Sequence, residues 1–221
     1  MKIETKEFPV ADGIEIIDSK EPLVEIKEFK CESMYYKQGY KGALDRCYCR
    51  VSVLEHLKEA KKYLPEGYDF LVYDAYRPLE VQQSLFDKYR NEIKEKNPGL
   101  SEEELDKEAN FFVAKPSFNK YRPSVHNTGG AIDLTLTKDG KLVDMGTEFD
   151  NFTDKAHSDY FEVNDIDDTI RENRRILYTA MIKAGFTSLP TEWWHFDYGD
   201  LYWAYYLNKE SIYVGLLNDN I

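Results

Sequence analysis

The spacing of apolar and polar residues predicts helices of ordinary length joined to a few short strands. Apolar residues recur at helical intervals in three stretches, which lie near residues 53–64, 81–93 and 166–184. Ser101 and Glu104 have the spacing of a capping box, so a further helix is predicted from there to about Phe111. These four segments account for most of the helix that the pattern indicates.

Shorter runs of β-branched and aromatic residues predict the strands. They lie at 23–26, at 70–73, at 131–136 and as a pair within 186–198. The turn residues at 137–140 predict a hairpin after the third of these. We find no repeats and no linker, so the prediction is one α+β domain over residues 1–221, with helices packed on a small central antiparallel sheet. Residues 1–50 give the weakest pattern: 35–42 is interpreted as a loop rich in aromatic rings.

The amino-acid composition limits the classes of partner that the protein can bind. The 221 residues are 42% hydrophobic, which is enough for a packed core, and carry a net charge of −12 from 29 basic and 41 acidic side chains. This acidic balance argues against nucleic acid or an anionic membrane as a partner. No apolar run approaches the roughly 20 residues of a membrane span, and the first residues do not resemble a signal peptide. We therefore expect no membrane partner and a cytoplasmic location. The count of three cysteines agrees with this location, because an odd number cannot all pair within one chain.

Four polar residues in otherwise apolar surroundings indicate a metal centre. Asp133 lies between Ile132 and Leu134, and a carboxylate buried on such a strand needs a cation or a hydrogen-bond donor. Catalytic zinc commonly takes three protein ligands from His, Asp and Glu. We therefore predict that His126, Asp133 and His195 bind one zinc ion, and that Glu192 transfers protons beside it. Each residue alone has an ordinary structural explanation, and it is the combination that favours a metal.

The spacing of these residues requires two irregular backbone segments. His126 and Asp133 are seven apart and would point to opposite faces of an unbroken strand, but the glycines at 129–130 allow the chain to bend between them. Glu192 and His195 are three apart, which also places them on opposite faces of a regular strand. A bulge or a tight turn is therefore predicted at 192–195.

Other chemically interesting residues carry weaker patterns. Cys47 and Cys49 could direct two thiols the same way on a strand, with His56 near in sequence, but a structural role is the better interpretation. His157 lies in the long polar segment that follows the predicted hairpin; it could orient one of the metal ligands, but a loop residue is the better interpretation.

The chain resembles the zinc-dependent D-alanyl-D-alanine dipeptidases, the group that includes the dipeptidases of vancomycin resistance. The matching motifs run in order from Asp74-Ala-Tyr-Arg77-Pro78, through Ser124-x-His126-x-x-Gly129-x-Ala131-x-Asp133-Leu-Thr-Leu136 and Met145-Gly-x-x-Phe149-Asp150, to Glu192-Trp-Trp-His195. The resemblance implies one zinc ion on the three predicted ligands, with Glu192 as the catalytic base. It also implies that Arg77 contacts the reacting carbonyl, and that Ser124 and Asp150 contact the two charged ends of a small dipeptide.

One segment departs from the family pattern. The family carries Tyr-Ala-Thr followed by Asn-Phe near its N-terminus, whereas this chain has Glu28-Phe-Lys-Cys-Glu-Ser-Met-Tyr35. This departure and the long segment at 137–165 leave substrate choice open, and there are two alternatives to a dipeptidase. One is a D,D-carboxypeptidase that acts on longer peptidoglycan precursors, and the other is a zinc-stabilised binding module without turnover.

Overall fold

The computed structural model of the chain describes residues 1–217, without the side chains at positions 111 and 112. It has an α+β fold, as predicted, in which helices pack on a mainly antiparallel sheet. The strands are β1 Leu23–Glu25, β2 Lys30–Cys31, β3 Tyr48–Arg50, β4 Tyr68–Asp74, β5 Ala131–Lys138, β6 Lys141–Leu142, β7 Thr187–Ser188 and β8 His195–Asp197. The helices are α1 Met34–Lys37, α2 Val51–Lys61, α3 Leu79–Lys96, α4 Glu102–Phe112, α5 Val125–Thr128, α6 Tyr160–Val163, α7 Asp168–Lys183 and α8 Leu201–Leu207.

Strand β5 is the centre of the larger sheet. The strand order is β2-β4-β5-β8-β7, and β6 returns from β5 as a hairpin. All pairings in this sheet are antiparallel except that of β2 with β4. The hairpin turn is the predicted one, with Asp139 and Gly140 both at positive φ, as a two-residue type I′ turn requires. Strands β1 and β3 form a separate antiparallel pair.

The two faces of β5 have different roles. Ile132, Leu134 and Leu136 are fully buried in the main hydrophobic core, where they meet residues of α2 and α7. Because side chains alternate along a strand, Asp133 and Thr135 point to the opposite face, and both are also buried. The sheet therefore has an apolar core on one face and a buried polar region on the other.

A smaller apolar cluster holds α3 and α4 together. Phe86 and Ile93 of α3 pack against Leu105 and Ala109 of α4. Helix α4 begins with the predicted capping box, in which Ser101 and Glu104 exchange hydrogen bonds. This helical pair forms one wall of the cavity described below.

The predicted helices and strands are present, with differences at their ends and in the N-terminal quarter. Residues 34–37 form a helical turn rather than the expected loop, and α7 begins at Asp168 instead of near Ile166. The C-terminal stretch, for which helix and strand were both open, begins as helix α8. Within residues 1–217 no helix has the length and apolar character needed to cross a bilayer.

Candidate metal centre and active site

The polar region of the sheet is created by the strand register. Asp133 of β5 pairs with His195 of β8 on one side and with Asp74 of β4 on the other. The β4 pairing shifts between Val72 and Asp74, which brings Asp74 opposite Asp133. Three strands thus place three polar residues in one row across the sheet.

His126 reaches this row from the short helix α5 that precedes β5. Gly129 ends the helix at φ 75°, and the chain then enters β5. A side chain at this position would begin 2.5 Å from Leu23 Cδ2, so both the conformation and the space favour glycine. The predicted bend at 129–130 is therefore present, and it places His126 beside Asp133.

The metal-binding atoms of His126, Asp133 and His195 converge. His126 Nε2 lies 3.2 Å from His195 Nδ1 and 3.3 Å from Asp133 Oδ2, and His195 Nδ1 lies 3.0 Å from Asp133 Oδ1. All three residues are buried. Among residues 1–217 they form the only group of three His, Cys, Asp or Glu residues whose ligand atoms come this close together.

The hydrogen bonds of each imidazole determine which nitrogen is free. His126 Nδ1 lies 2.8 Å from the carbonyl oxygen of Ala75 and donates to it, which leaves the Nε2 lone pair facing the cluster. His195 has the opposite arrangement: its Nε2 lies 2.8 Å from Asp197 Oδ1, which leaves Nδ1 facing the cluster. Two imidazole lone pairs and a carboxylate therefore point at one spot.

This donor set fits zinc. Ligands at about 2.0–2.2 Å from a tetrahedral ion lie about 3.3–3.6 Å from one another, and the separations of 3.0–3.3 Å in the cluster are close to this range. Three acceptors this close repel one another unless a cation lies between them. Burial alone would raise the pKa of Asp133, but the two imidazoles hold it below its usual value. The cluster is therefore arranged to bind a cation.

Glu192 lies on a tight turn before β8. The amide of His195 donates to the carbonyl oxygen of Glu192 at 3.3 Å, which closes a turn through the two tryptophans between them. The irregular backbone predicted at 192–195 is therefore this turn. Burial in the cavity, together with the nearby charge of Asp133, raises the pKa of Glu192 to about 7.

Arg77 is a buried cation beside the cluster. Its guanidinium donates to Asp74 Oδ2 at 2.8 Å and to Gln82 Oε1 at 2.9 Å, and it lies 3.4 Å from Asp133 Oδ2. Its Cζ atom also lies 4.6 Å from the centre of the Tyr35 ring. These contacts from several elements fix the orientation of the guanidinium.

Ser124 and Asp150 complete the set of predicted site residues. Ser124 precedes helix α5, but its hydroxyl forms no capping bond, and the buried Oγ has no hydrogen-bond partner in the described residues. Asp150 Oδ1 accepts from the Tyr35 hydroxyl at 3.3 Å. Burial raises the pKa of Asp150 to about 8. Both residues therefore have capacity to bind a ligand.

One cavity of about 350 Å³ contains all the predicted residues, which are Arg77, Ser124, His126, Asp133, Asp150, Glu192 and His195. The α3–α4 pair contributes Leu85, Tyr89 and Asn110 to its wall. The volume falls in the range of small-molecule sites.

Sequence reasoning missed several residues of this site, among them Gln82, which accepts from Arg77 and lines the cavity. Tyr35 contacts both Arg77 and Asp150, although its segment has no clean counterpart in the family pattern. Asp74 and Asp197 contact Arg77 and His195 respectively. Asp74 stands in a quoted motif and Asp197 lies two residues after a predicted ligand, so both positions could have been considered.

The cysteines and histidines that gave weaker sequence patterns lie outside the metal cluster. Cys47 and Cys49 are buried apolar residues of the main core. His56 Nδ1 lies 2.6 Å from the carbonyl oxygen of Ala184, and its ring packs on Tyr198 at 4.0 Å. His157 does not line the cavity, and its carbonyl oxygen accepts from Arg174 at 2.7 Å. These contacts agree with the structural interpretation.

Comparison with known proteins gives consistent results. A family model described as D-ala-D-ala dipeptidase matches residues 29–212. A D-alanyl-D-alanine dipeptidase of Synechocystis is 34% identical over 180 residues, which cover 72% of each chain. A D-alanyl-D-alanine dipeptidase of Enterococcus faecium is 33% identical over 150 residues, covering 64% of this chain and 68% of that protein.

A solved structure, VanYB in complex with D-alanine-D-alanine, is 17% identical, with a TM-score of 0.46 over 91% of this chain and 89% of that one. The family match spans most of the chain and includes all seven predicted site residues. The chain therefore belongs to the D-Ala-D-Ala dipeptidase family and is a metallopeptidase.

Proposed function

We propose that this protein is a zinc-dependent dipeptidase that hydrolyses D-alanyl-D-alanine or a similar D,D-dipeptide. One observation carries the proposal: the ligand atoms of His126, Asp133 and His195 converge within 3.0–3.3 Å in a cavity that also contains Glu192 and Arg77. A metal alone would be compatible with a purely structural site. Hydrolysis also needs a group that accepts a proton and a group that stabilises negative charge, and Glu192 and Arg77 can supply these.

Zinc, when bound, supplies Lewis-acid chemistry that polarises the scissile carbonyl and makes water reactive at neutral pH. Glu192 is the proton carrier: its carboxylate accepts a proton from the attacking water and then donates it to the leaving amine. Burial raises the pKa of Glu192, so its carboxylate accepts a proton more readily than that of an exposed glutamate.

Arg77 stabilises the negative charge that develops on the carbonyl oxygen. Its guanidinium is already oriented by Asp74 and Gln82, so it needs no reorganisation when the charge appears. Its contact with Asp133 at 3.4 Å keeps it beside the reacting bond. Loss of one such donor typically costs about 3–4 kcal/mol of transition-state stabilisation.

Asp150 and Ser124 bind the two ends of the dipeptide. An incoming ammonium favours the ionised form of Asp150, because an opposite charge lowers the pKa that burial has raised. The unpartnered hydroxyl of Ser124 can donate to the substrate carboxylate. Recognition of both ends favours a free dipeptide over a longer chain.

The test is a comparison of substrates with the zinc-loaded protein. We expect turnover of D-Ala-D-Ala, much slower release of D-alanine from a pentapeptide that ends in D-Ala-D-Ala, and no turnover of L-Ala-L-Ala. Faster cleavage of the pentapeptide would identify a carboxypeptidase instead. Absence of turnover on every peptide, with zinc bound, would leave only a binding module.

The ligand assignment has its own control, because the chain has four histidines and only two lie in the cluster. We expect His126→Ala and His195→Ala to lose zinc, and His157→Ala to retain one zinc per chain. Full zinc occupancy of both cluster variants would reject the assignment.

A further inference from the structure

The side of His195 that faces away from the cluster leads into two fully buried carboxyl groups. Its Nε2 lies 2.8 Å from Asp197 Oδ1, and the neighbouring Asp200 is close enough for the charge of Asp197 to act on it. Both aspartates have no exposed surface. A pair of acidic side chains in the protein interior is costly unless each oxygen has a donor.

The hydrogen bonds of Asp200 identify which of its oxygens meets Asp197. Asp200 Oδ1 accepts from the amides of Tyr202 and Trp203, at 3.0 and 3.1 Å, at the start of helix α8. Asp197 Oδ1 accepts from His195. What remains is Oδ2 of each residue, and neither Oδ2 accepts an N–H or O–H from the described residues. The two remaining oxygens are thus left to each other.

Two neighbouring ionised carboxylates repel each other, and a proton on Asp200 removes that repulsion. Burial, followed by the charge of Asp197, raises the pKa of Asp200 well above its ordinary value. A protonated Asp200 has one O–H donor, and with Oδ1 occupied by two amides that donor is directed at Asp197. That donor would connect the hydrogen bonds at the start of α8 with the one between Asp197 and His195.

We propose that Asp197 and Asp200 are positioning residues for the metal centre: Asp197 fixes the ring of His195 with Nδ1 toward the ion, and Asp200 fixes Asp197 by donating a hydrogen bond to it. The outer nitrogen of His126 donates instead to the backbone carbonyl of Ala75 at 2.8 Å, and the nearest carboxylate oxygen, Asp74 Oδ2, lies farther away at 3.5 Å. The two ligands are therefore supported differently, one by the main chain and one by a buried acid pair.

This support affects how strongly the ion is held. A carboxylate that accepts from a ligating imidazole orients the ring, sets its tautomer and makes it a better donor to the metal. Loss of such a residue typically weakens metal binding by about 10–100-fold. The inference rests on the proposed zinc site, and it concerns these two residues only.

The experiment measures the zinc dissociation constant by competition with a chromophoric chelator. We expect Asp197→Ala to raise the constant by about 10–100-fold. Asp200→Asn should stay near the wild-type value, because the amide keeps both an acceptor for the α8 amides and a donor for Asp197. Asp200→Ala, which keeps neither, should weaken binding. Asp12→Ala, a change at an exposed aspartate, is the control for a lost carboxylate.

The outcomes separate the two proposals. If the wild-type protein binds no zinc, the proposed function fails. If it binds zinc and both Asp197→Ala and Asp200→Ala bind equally well, the positioning role is wrong while the zinc site stands. Should Asp197→Ala fail to fold without metal, as judged by circular dichroism, the comparison of Asp200→Ala with Asp200→Asn gives the same information. An Asp200→Asn variant that binds as weakly as Asp200→Ala would reject the protonated Asp200.

Discussion

Each imidazole of the cluster is held by a different partner, so the two ligands depend on different parts of the chain. The hydrogen bond of His126 Nδ1 goes to the backbone carbonyl of Ala75 at 2.8 Å, which no side-chain substitution removes, whereas Asp74 Oδ2 lies farther away at 3.5 Å. His195 relies on a side chain, Asp197. At the scale of single residues the site is thus more sensitive to substitution on its β8 side than on its α5 side.

Glu192→Gln separates proton transfer from metal binding. The amide has nearly the same size as the carboxylate but cannot accept the proton of water, so we expect kcat to fall by about 10²–10⁴-fold. Zinc content should remain at one per chain, because Glu192 is not among the three ligands. The measurement is turnover of D-Ala-D-Ala together with metal analysis, and wild-type turnover by this variant would remove Glu192 from the mechanism.

The pH dependence of kcat/KM follows from the ionisation of Glu192. Only the ionised form of Glu192 can accept a proton, so kcat/KM should fall as pH decreases through its pKa. That pKa is about 7 without metal, and a nearby cation favours the carboxylate and lowers it. We therefore expect the acidic limb of the profile below pH 7. A rate that rises as pH decreases from 7 to 5 would contradict this assignment.

Among the connections between secondary-structure elements, the one from α5 to β5 requires a glycine. Gly129 combines a positive φ with a position where an added carbon would lie 2.5 Å from Leu23 Cδ2. We expect Gly129→Ala to lower the free energy of unfolding by about 1–3 kcal/mol from backbone strain, with a further loss from the clash. Its measurement is urea denaturation of the metal-free protein.

A matched glycine distinguishes the two contributions. Gly13 also has positive φ, but an added carbon would meet no atom within 4 Å. Gly13→Ala therefore reports the cost of the conformation alone and should destabilise less than Gly129→Ala. Equal effects would mean that Leu23 moves aside freely.

The elements that the sequence predicted well are those whose pattern is local. Helix α4 was recognised from its capping box, and the β5–β6 hairpin from its turn residues, because both depend on neighbours within a few positions. The helical turn at 34–37 was missed since four residues are too few to show a period. Asp74 joins the site only through a shift in the β4–β5 register, which no local pattern records.

The difference between local patterns and long-range contacts also explains which site residues were predicted. The ligands and Glu192 were predicted because their chemistry is unusual for their apolar surroundings and because their motifs resemble a known family. Tyr35 was missed because its contacts with Arg77 and Asp150 join positions 42 and 115 apart along the chain, and nothing in its own segment distinguishes it from the other aromatic residues.

At the scale of the whole molecule, zinc should act as a stabilising ligand. The cluster connects β5, β8 and helix α5, and the unfolded chain cannot bring these segments together. Free zinc at 100 times its dissociation constant should add about 2.7 kcal/mol to the free energy of unfolding. A chelator should lower Tm and abolish turnover, and His126→Ala should make Tm independent of zinc. Differential scanning calorimetry provides the test, and a Tm that is unchanged by chelation in the wild type would contradict it.

The row of Asp74, Asp133 and His195 across three strands has a consequence for folding. A slip of β5 by one residue would direct Ile132 toward the ion and turn Asp133 into the apolar core, so a molecule with the wrong pairing could not bind metal at all. Metal binding therefore requires the correct register of the sheet. A cell that supplies zinc to newly made chains would activate only those copies whose strands are properly aligned.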